Sequence, residues 1–209
     1  VERIRPRTLE PFNFEEANMS NELWFAEGFT SYYGTLVLKR MGFRSTEEYS
    51  GGLAGGLNAV INSPGRTFRS PVEMSRQAPF VDAARTVDPV NFGNTFISYY
   101  TYGSVVALGL DLTLRTKFDR TLDEYMQSVW RAHGKTEIPY IVSDLEKVLA
   151  DFTGDRQFAA EYFASYITGK DVVDYEELLG HAGLLLRKRN PGQATLGRSP
   201  GFRNGSTTI

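Results

Sequence analysis

The sequence predicts a mainly α protein, and three observations carry that reading. Apolar residues recur at helical spacing, sustained apolar–polar alternation is almost absent before about residue 184, and Gly and Pro fall between the periodic runs. At 209 residues, 41% hydrophobic and 23% charged, the chain has room for one substantial core or two modest ones. With 23 Lys and Arg against 25 Asp and Glu, and no long run of one sign, nothing electrostatic favours nucleic acid or an anionic membrane as partner. The absence of cysteine excludes disulfides, zinc ribbons and thiol nucleophiles, and leaves the compartment open. Two histidines, His133 and His181, are the only ones present.

The first residues, Val1-Glu2-Arg3-Ile4-Arg5-Pro6-Arg7, show neither an initiator Met nor the apolar core of a signal peptide, so the chain is expected to be cut from something longer. Ser20-Asn21 can cap a helix from about Glu22 to Arg40, with Gly42 as its stop. Ser45-Thr46-Glu47-Glu48 opens a second helix toward Asn62. The glycines at 51, 52, 55 and 56 either weaken it or permit close packing. Ser63-Pro64-Gly65-Arg66 ends that helix, and Thr67–Asn94 reads mostly as connection, with Pro71, Pro79, Pro89 and Gly93 leaving room for one short helix around Val72–Gln77. Such a long connection is often functional. Helices then follow over Thr95–Lys117, Leu122–Ala132, Tyr140–Phe152, Arg156–Thr168 and Tyr175–His181, with caps such as Thr121, Ser143, Asp155 and Asp174. The charge-free stretch Pro89–Leu110 contains Asn91, Asn94 and Ser98 and is not expected to span a membrane. From Gly183 the pattern changes: Leu184-Leu185-Leu186, Pro191-Gly192, Pro200-Gly201 and Asn204-Gly205 read as short strands and turns. The expected division is therefore 1–182 and 183–209.

One residue stands out chemically. In LWFAEGFTSYYGTLVL, Leu23 to Leu38, Glu27 is the only charge. The helix is apolar nearly all round and so is expected to be buried, with Glu27 on the face of Leu23, Trp24, Thr30, Gly34 and Leu38. Burying an unpaired carboxylate costs several kcal/mol, so such a residue is normally ion-paired, hydrogen-bonded or bound to a metal. Either Glu27 pairs with an arginine such as Arg66 or Arg115, or it is functional.

The segment Trp24-Phe25-Ala26-Glu27-Gly28-Phe29-Thr30 resembles the helix that supplies the third zinc ligand of gluzincin peptidases. Together with Arg3-Ile4-Arg5-Pro6-Arg7, Leu9-Glu10-Pro11-Phe12, Asn18-Met19-Ser20, Ser63-Pro64-Gly65-Arg66, Ile97-Ser98-Tyr99-Tyr100 with Gly103, and Ala194-Thr195-Leu196-Gly197, it is similar to the glycyl aminopeptidases, zinc metallopeptidases with a C-terminal PDZ domain. The resemblance implies the multi-helix C-terminal subdomain of a thermolysin-like (gluzincin) catalytic domain over 1–182, followed by the β-rich start of a truncated PDZ-like domain over 183–209.

The same resemblance implies that Glu27 is the glutamate ligand to Zn2+ and that Tyr100 donates a hydrogen bond to the oxyanion formed on the scissile carbonyl. It implies hydrolysis of peptides with a small N-terminal residue, Gly or Ala. The family's HExxH motif, with its two His ligands and general-base Glu, is absent from these residues and is expected upstream. The chain alone is then expected to be inactive and metal-free, with the missing N-terminal portion of the polypeptide as partner, or a dimer formed through the apolar surface left open. His133 and His181 match no ligand motif and read as surface or helix-end residues. Tyr102 stands where the family often has Lys. Arg66 reads as a loop anchor, Glu22 as a complement to the helix dipole or a weaker support to the metal ligand, and Thr30 and Ser31 as hydrogen-bonding neighbours of Glu27. The competing function is a non-catalytic helical module whose PDZ-like part holds peptides by strand addition. A purely structural chain, with Glu27 salt-bridged, is the third.

Overall fold

A computed structural model describes residues 3–81, 90–188, 191–192, 201–203 and 206–208. The architecture is mainly helical, as the periodicity predicts. Helix α1 (Leu23–Arg40) is followed by α2 (Thr46–Ile61), four single-turn helices α3 (Gly65–Phe68), α4 (Pro71–Ser75), α5 (Ala78–Val81) and α6 (Phe92–Thr95), and the central helix α7 (Tyr99–Phe118). After these come α8 (Leu122–Val129), α9 (Val142–Thr153), α10 (Arg156–Tyr162) and α11 (Tyr175–His181). Both α8 and α10 run on into one π turn, at Trp130–Gly134 and Phe163–Ile167. Among the described residues no helix is long and apolar enough to cross a membrane.

Most boundaries follow local chemistry. Ser45 accepts the Glu48 N–H at 3.0 Å while the Glu48 carboxylate accepts the Ser45 N–H at 2.8 Å, a reciprocal cap on α2. The same arrangement recurs at Ser70/Glu73 on α4 and Thr121/Glu124 on α8. Gly42 (φ 79°) and Gly154 (φ 71°) end α1 and α9 in the left-handed conformation.

Several expectations are corrected. The residue preceding α1 is Glu22, not Ser20-Asn21, and the buried first-turn N–H of Trp24, which has no partner within the helix, is met by Ser75 Oγ of α4 at 2.9 Å. Around Thr67–Asn94 the described residues make three short helical turns, α3, α5 and α6, besides the single one expected. Helix α7 starts at Tyr99 rather than Thr95, because Phe96 is extended and the Ile97 N–H turns to the Met74 sulfur at 3.4 Å. Ser143 lies inside α9, which is preceded by Ile141, with the Ile141 N–H bonded to Asp144 Oδ2 at 3.0 Å. Tyr140, expected in that helix, instead bridges to Pro6: its N–H donates to the Arg5 carbonyl at 2.9 Å and its carbonyl accepts from the Arg7 N–H at 2.8 Å.

Helix α7 is the spine of the core, and α1 makes the largest contact with it. Tyr175 of α11 fastens to the same helix by donating to the Val105 carbonyl at 2.8 Å. Near the end, β1 (Gly201–Arg203) pairs antiparallel with β2 (Ser206–Thr208), Phe202 opposite Thr207. The turn signal Asn204-Gly205 and the motif Ala194–Gly197 lie outside the described residues.

Candidate metal-ligand site

The close crossing of α1 and α7 sets the site. A Cβ on Gly28 would stand 2.3 Å from the Gly103 Cα, and one on Gly103 would stand 1.9 Å from the Trp24 carbonyl oxygen. Only glycine permits that approach. Glu27 is adjacent to the contact on α1, and Tyr100 lies one turn before it on α7. The crossing therefore brings both residues to one end of the helix pair.

Glu27 is partly buried, and among the described residues it has no ion pair and no hydrogen bond. The arginines that could neutralise it are engaged elsewhere. Arg66 Nη1 donates to the Lys170 carbonyl at 2.9 Å, and Arg115 Nε pairs with Asp111 at 2.9 Å. Lys170 Nζ returns a bond to the Thr67 carbonyl at 2.9 Å, so Arg66 anchors its loop, as expected. Thr30 donates to the Ala26 carbonyl rather than to Glu27.

Helix α1 is not buried on every side, contrary to expectation. Trp24, Phe25, Gly28, Phe29 and Tyr32 face the core, whereas Val37 and Leu38 remain 42% and 38% exposed. Ile4, Ala26, Thr30, Gly34, Val37 and Met126 line an apolar groove of about 450 Å³ along this open side. An all-apolar helix implies cover on all sides, and among the described residues only one side has it.

Tyr100 is 42% exposed, its ring 4.9 Å from that of Tyr99. Tyr102 by contrast is buried, its hydroxyl without a partner among the described residues and pushed up to about 12 by burial, with Arg66 opposing the shift and Asp171 adding to it. His133 is not at the surface: it is 8% exposed, with Nδ1 3.0 Å from the Ile138 carbonyl. His181 sits at the end of α11, 3.9 Å from Glu177. Among the described residues no three His, Asp or Glu side chains are grouped to hold a metal ion.

Two residues beside Glu27 are more involved than their sequence context indicates. Glu22 is fully buried; its Oε2 accepts from Thr8 Oγ1 at 2.6 Å, Ser20 Oγ at 3.0 Å and the Asn21 N–H at 3.0 Å. Tyr140 is also fully buried, and its hydroxyl has no partner among the described residues. Its ionisation is pushed well above the usual tyrosine value by burial, then by the Glu22 carboxylate, Tyr125 and Glu27. Nothing in the sequence marks Tyr140, because its neighbours come from the distant segments at Arg5–Arg7 and α1.

A mainly helical subdomain thus carries, on a helix covered on one side, a carboxylate with no counter-charge among the described residues. The fold is similar to a solved aminopeptidase N family protein from Idiomarina loihiensis, with a TM-score of 0.77 and 26% identity over 93% of this chain. The chain spans only 34% of that protein. The M61 glycyl aminopeptidase family matches residues 1–106, and the chain belongs to that family. No curated protein matches it.

Proposed function

We propose that the protein carries the carboxylate-ligand helix of a zinc-dependent aminopeptidase, with Glu27 as the zinc ligand. The observation that supports this best is Glu27 itself, a partly buried carboxylate left without a counter-charge among the described residues. Zinc takes carboxylate oxygen alongside imidazole nitrogen, so the residue fits the ion, but one carboxylate does not hold it firmly. Two histidines from outside these 209 residues complete the set, and the chain alone is inactive. When bound, the ion supplies Lewis-acid polarisation and activation of water.

The chain's own residues supply position and a hydrogen bond. Glu27 is held in place by the Gly28–Gly103 crossing, and the Tyr100 hydroxyl donates a hydrogen bond to the oxygen that gains charge as the scissile carbonyl becomes tetrahedral. The substrates are peptides with N-terminal Gly or Ala. The N-terminal portion of the same polypeptide covers the open groove of α1, and where it is missing the exposed Val37 and Leu38 favour dimerisation. The β1–β2 hairpin belongs to a PDZ-like module that starts near residue 183. The same hairpin and the open groove are what favour a second reading, a non-catalytic peptide-holding module.

The test is Glu27→Gln in the full-length polypeptide, scored by bound zinc and by hydrolysis of glycyl and alanyl peptides. Loss of both is expected. Retention of stoichiometric zinc and activity refutes the assignment.

A further inference from the structure

Glu22 asks for an explanation that capping does not give. A carboxylate complements a helix N-terminus equally well from the surface, where it keeps its water. Here the side chain is fully buried, three donors fix Oε2, and Oε1 is buried with no partner among the described residues. The three donors account for Oε2 alone, and a buried carboxylate oxygen left unsatisfied is costly.

The missing partner of Oε1 must be a donor, N–H or O–H. A second buried polar atom packs against the same helix: the Tyr140 hydroxyl has no partner among the described residues, and its ring stands 5.5 Å from that of Phe25, which lies between Glu22 and Glu27. Free hydrogen-bonding capacity on Glu22, on Tyr140 and on Glu27 is thus gathered around one region. Of the protein side chains that bind zinc, only imidazole still carries an N–H once coordinated; thiolates and carboxylates do not. Such an N–H is commonly held by a carboxylate, which fixes the ring and strengthens the ligand. Neither described histidine fills this role, since His133 is turned to the Ile138 carbonyl and His181 lies at the surface.

Resting on the reading of Glu27 as a zinc ligand, we infer that Glu22 is a positioning residue for that site: its Oε1 accepts the N–H of an imidazole that ligates the same ion. Tyr140 completes the arrangement by offering its one O–H to the Glu27 carboxylate. Glu22 does not touch the ion.

The experiment measures zinc affinity by chelator competition, and thermal stability without metal, in the full-length polypeptide bearing Glu22→Gln, Tyr140→Phe or Glu27→Gln. Glutamine at position 22 puts an amide where an acceptor is needed or leaves that acceptor weakened. Zinc affinity is expected to fall about 10–100-fold in Glu22→Gln, while the metal-free protein melts no lower than the parent because a buried charge has been removed. Tyr140→Phe, which removes only an unpartnered hydroxyl, is expected to weaken zinc about threefold to tenfold at unchanged metal-free stability. If Glu22→Gln keeps zinc affinity within about twofold of the parent while Glu27→Gln loses it, the inference on Glu22 is overturned and the zinc-ligand reading stands. Zinc retained in Glu27→Gln overturns that reading instead. Should Glu22→Gln not fold, Tyr140→Phe decides, and unchanged zinc affinity in it overturns the inference.

Discussion

Gly28 and Gly103 meet backbone to backbone, so close that an added Cβ on either would enter the other helix. This contact sets the separation of α1 and α7 and with it the position of Glu27 relative to Tyr100. The atoms in the way are main chain, which cannot rotate aside. Gly103→Ala is therefore expected to destabilise by about 3 kcal/mol or more, seen as a fall in the denaturation midpoint with an unchanged slope.

The glycines of α2 behave oppositely. Gly51 and Gly55 are exposed, helical and have nothing within 4 Å of an added Cβ. Of the two readings open in the sequence, the weakened helix is the one the structure supports at these positions. Gly51→Ala and Gly55→Ala are each expected to stabilise by about 0.5–1 kcal/mol, measured by the same denaturation.

Asp111 joins three helices. Its Oδ2 accepts from the Tyr32 hydroxyl of α1 at 2.7 Å, and its Oδ1 accepts from Arg115 Nε at 2.9 Å and from the Leu122 N–H of α8 at 3.1 Å. Every partner is satisfied, so the charge is held without stress. Asp111→Ala removes the charged acceptor of the buried Tyr32 hydroxyl and strands the Leu122 N–H, and is expected to cost about 2–5 kcal/mol. Tyr32→Phe, which removes one bond to a charged group, is expected to cost about 1.5–3 kcal/mol.

Alkali should unfold the protein through its buried tyrosines. Burial pushes the ionisation of Tyr125 and Tyr175 above the ordinary value of 10.0, and Tyr125 and Tyr175 donate to backbone carbonyls at 3.0 and 2.8 Å. A raised folded-state value contributes stability that is present below the unfolded value and is lost as pH rises above it. Stability is expected to decline above pH 10.0, with the buried tyrosines' share of the tyrosinate absorbance appearing together with loss of helix. The acid side is governed by the capping carboxylates. Hydrogen bonds from Ser45 and Thr121 lower the values of Glu48 and Glu124 from 4.5. Their contribution is full above 4.5 and is lost as pH falls through the lowered values, so Glu48→Gln with Glu124→Gln should flatten the acid limb of the stability profile.

Tyr100 is expected to matter to turnover and not to binding. A donor aimed at charge that develops in the transition state affects kcat, so Tyr100→Phe in the full-length polypeptide should lower kcat about 10²–10³-fold with little change in KM. An equal rise in KM at constant kcat would assign the hydroxyl to substrate binding instead.

The helices were legible wherever the signal is local. Ser45 with Glu48, Thr121 with Glu124, and Gly42 and Gly154 place their ends from a few adjacent residues. Glu27 was legible because it is the only charge in a long apolar run. What the sequence hid depends on distant segments: Ser75 meeting the Trp24 N–H, Met74 ending the approach to α7, and Tyr140 brought beside Glu22 by its pairing with Arg5 and Arg7. The open side of α1 was hidden for a related reason, since apolar residues announce that cover is needed but not which segment provides it.

The most direct measurement is the position of the metal in crystals of the zinc-loaded full-length polypeptide, located by anomalous scattering. The account predicts zinc about 2.0–2.2 Å from a Glu27 carboxylate oxygen, with two imidazole nitrogens completing its protein ligands. Zinc bound elsewhere, with the Glu27 carboxylate paired to an arginine or turned into solvent, would contradict it.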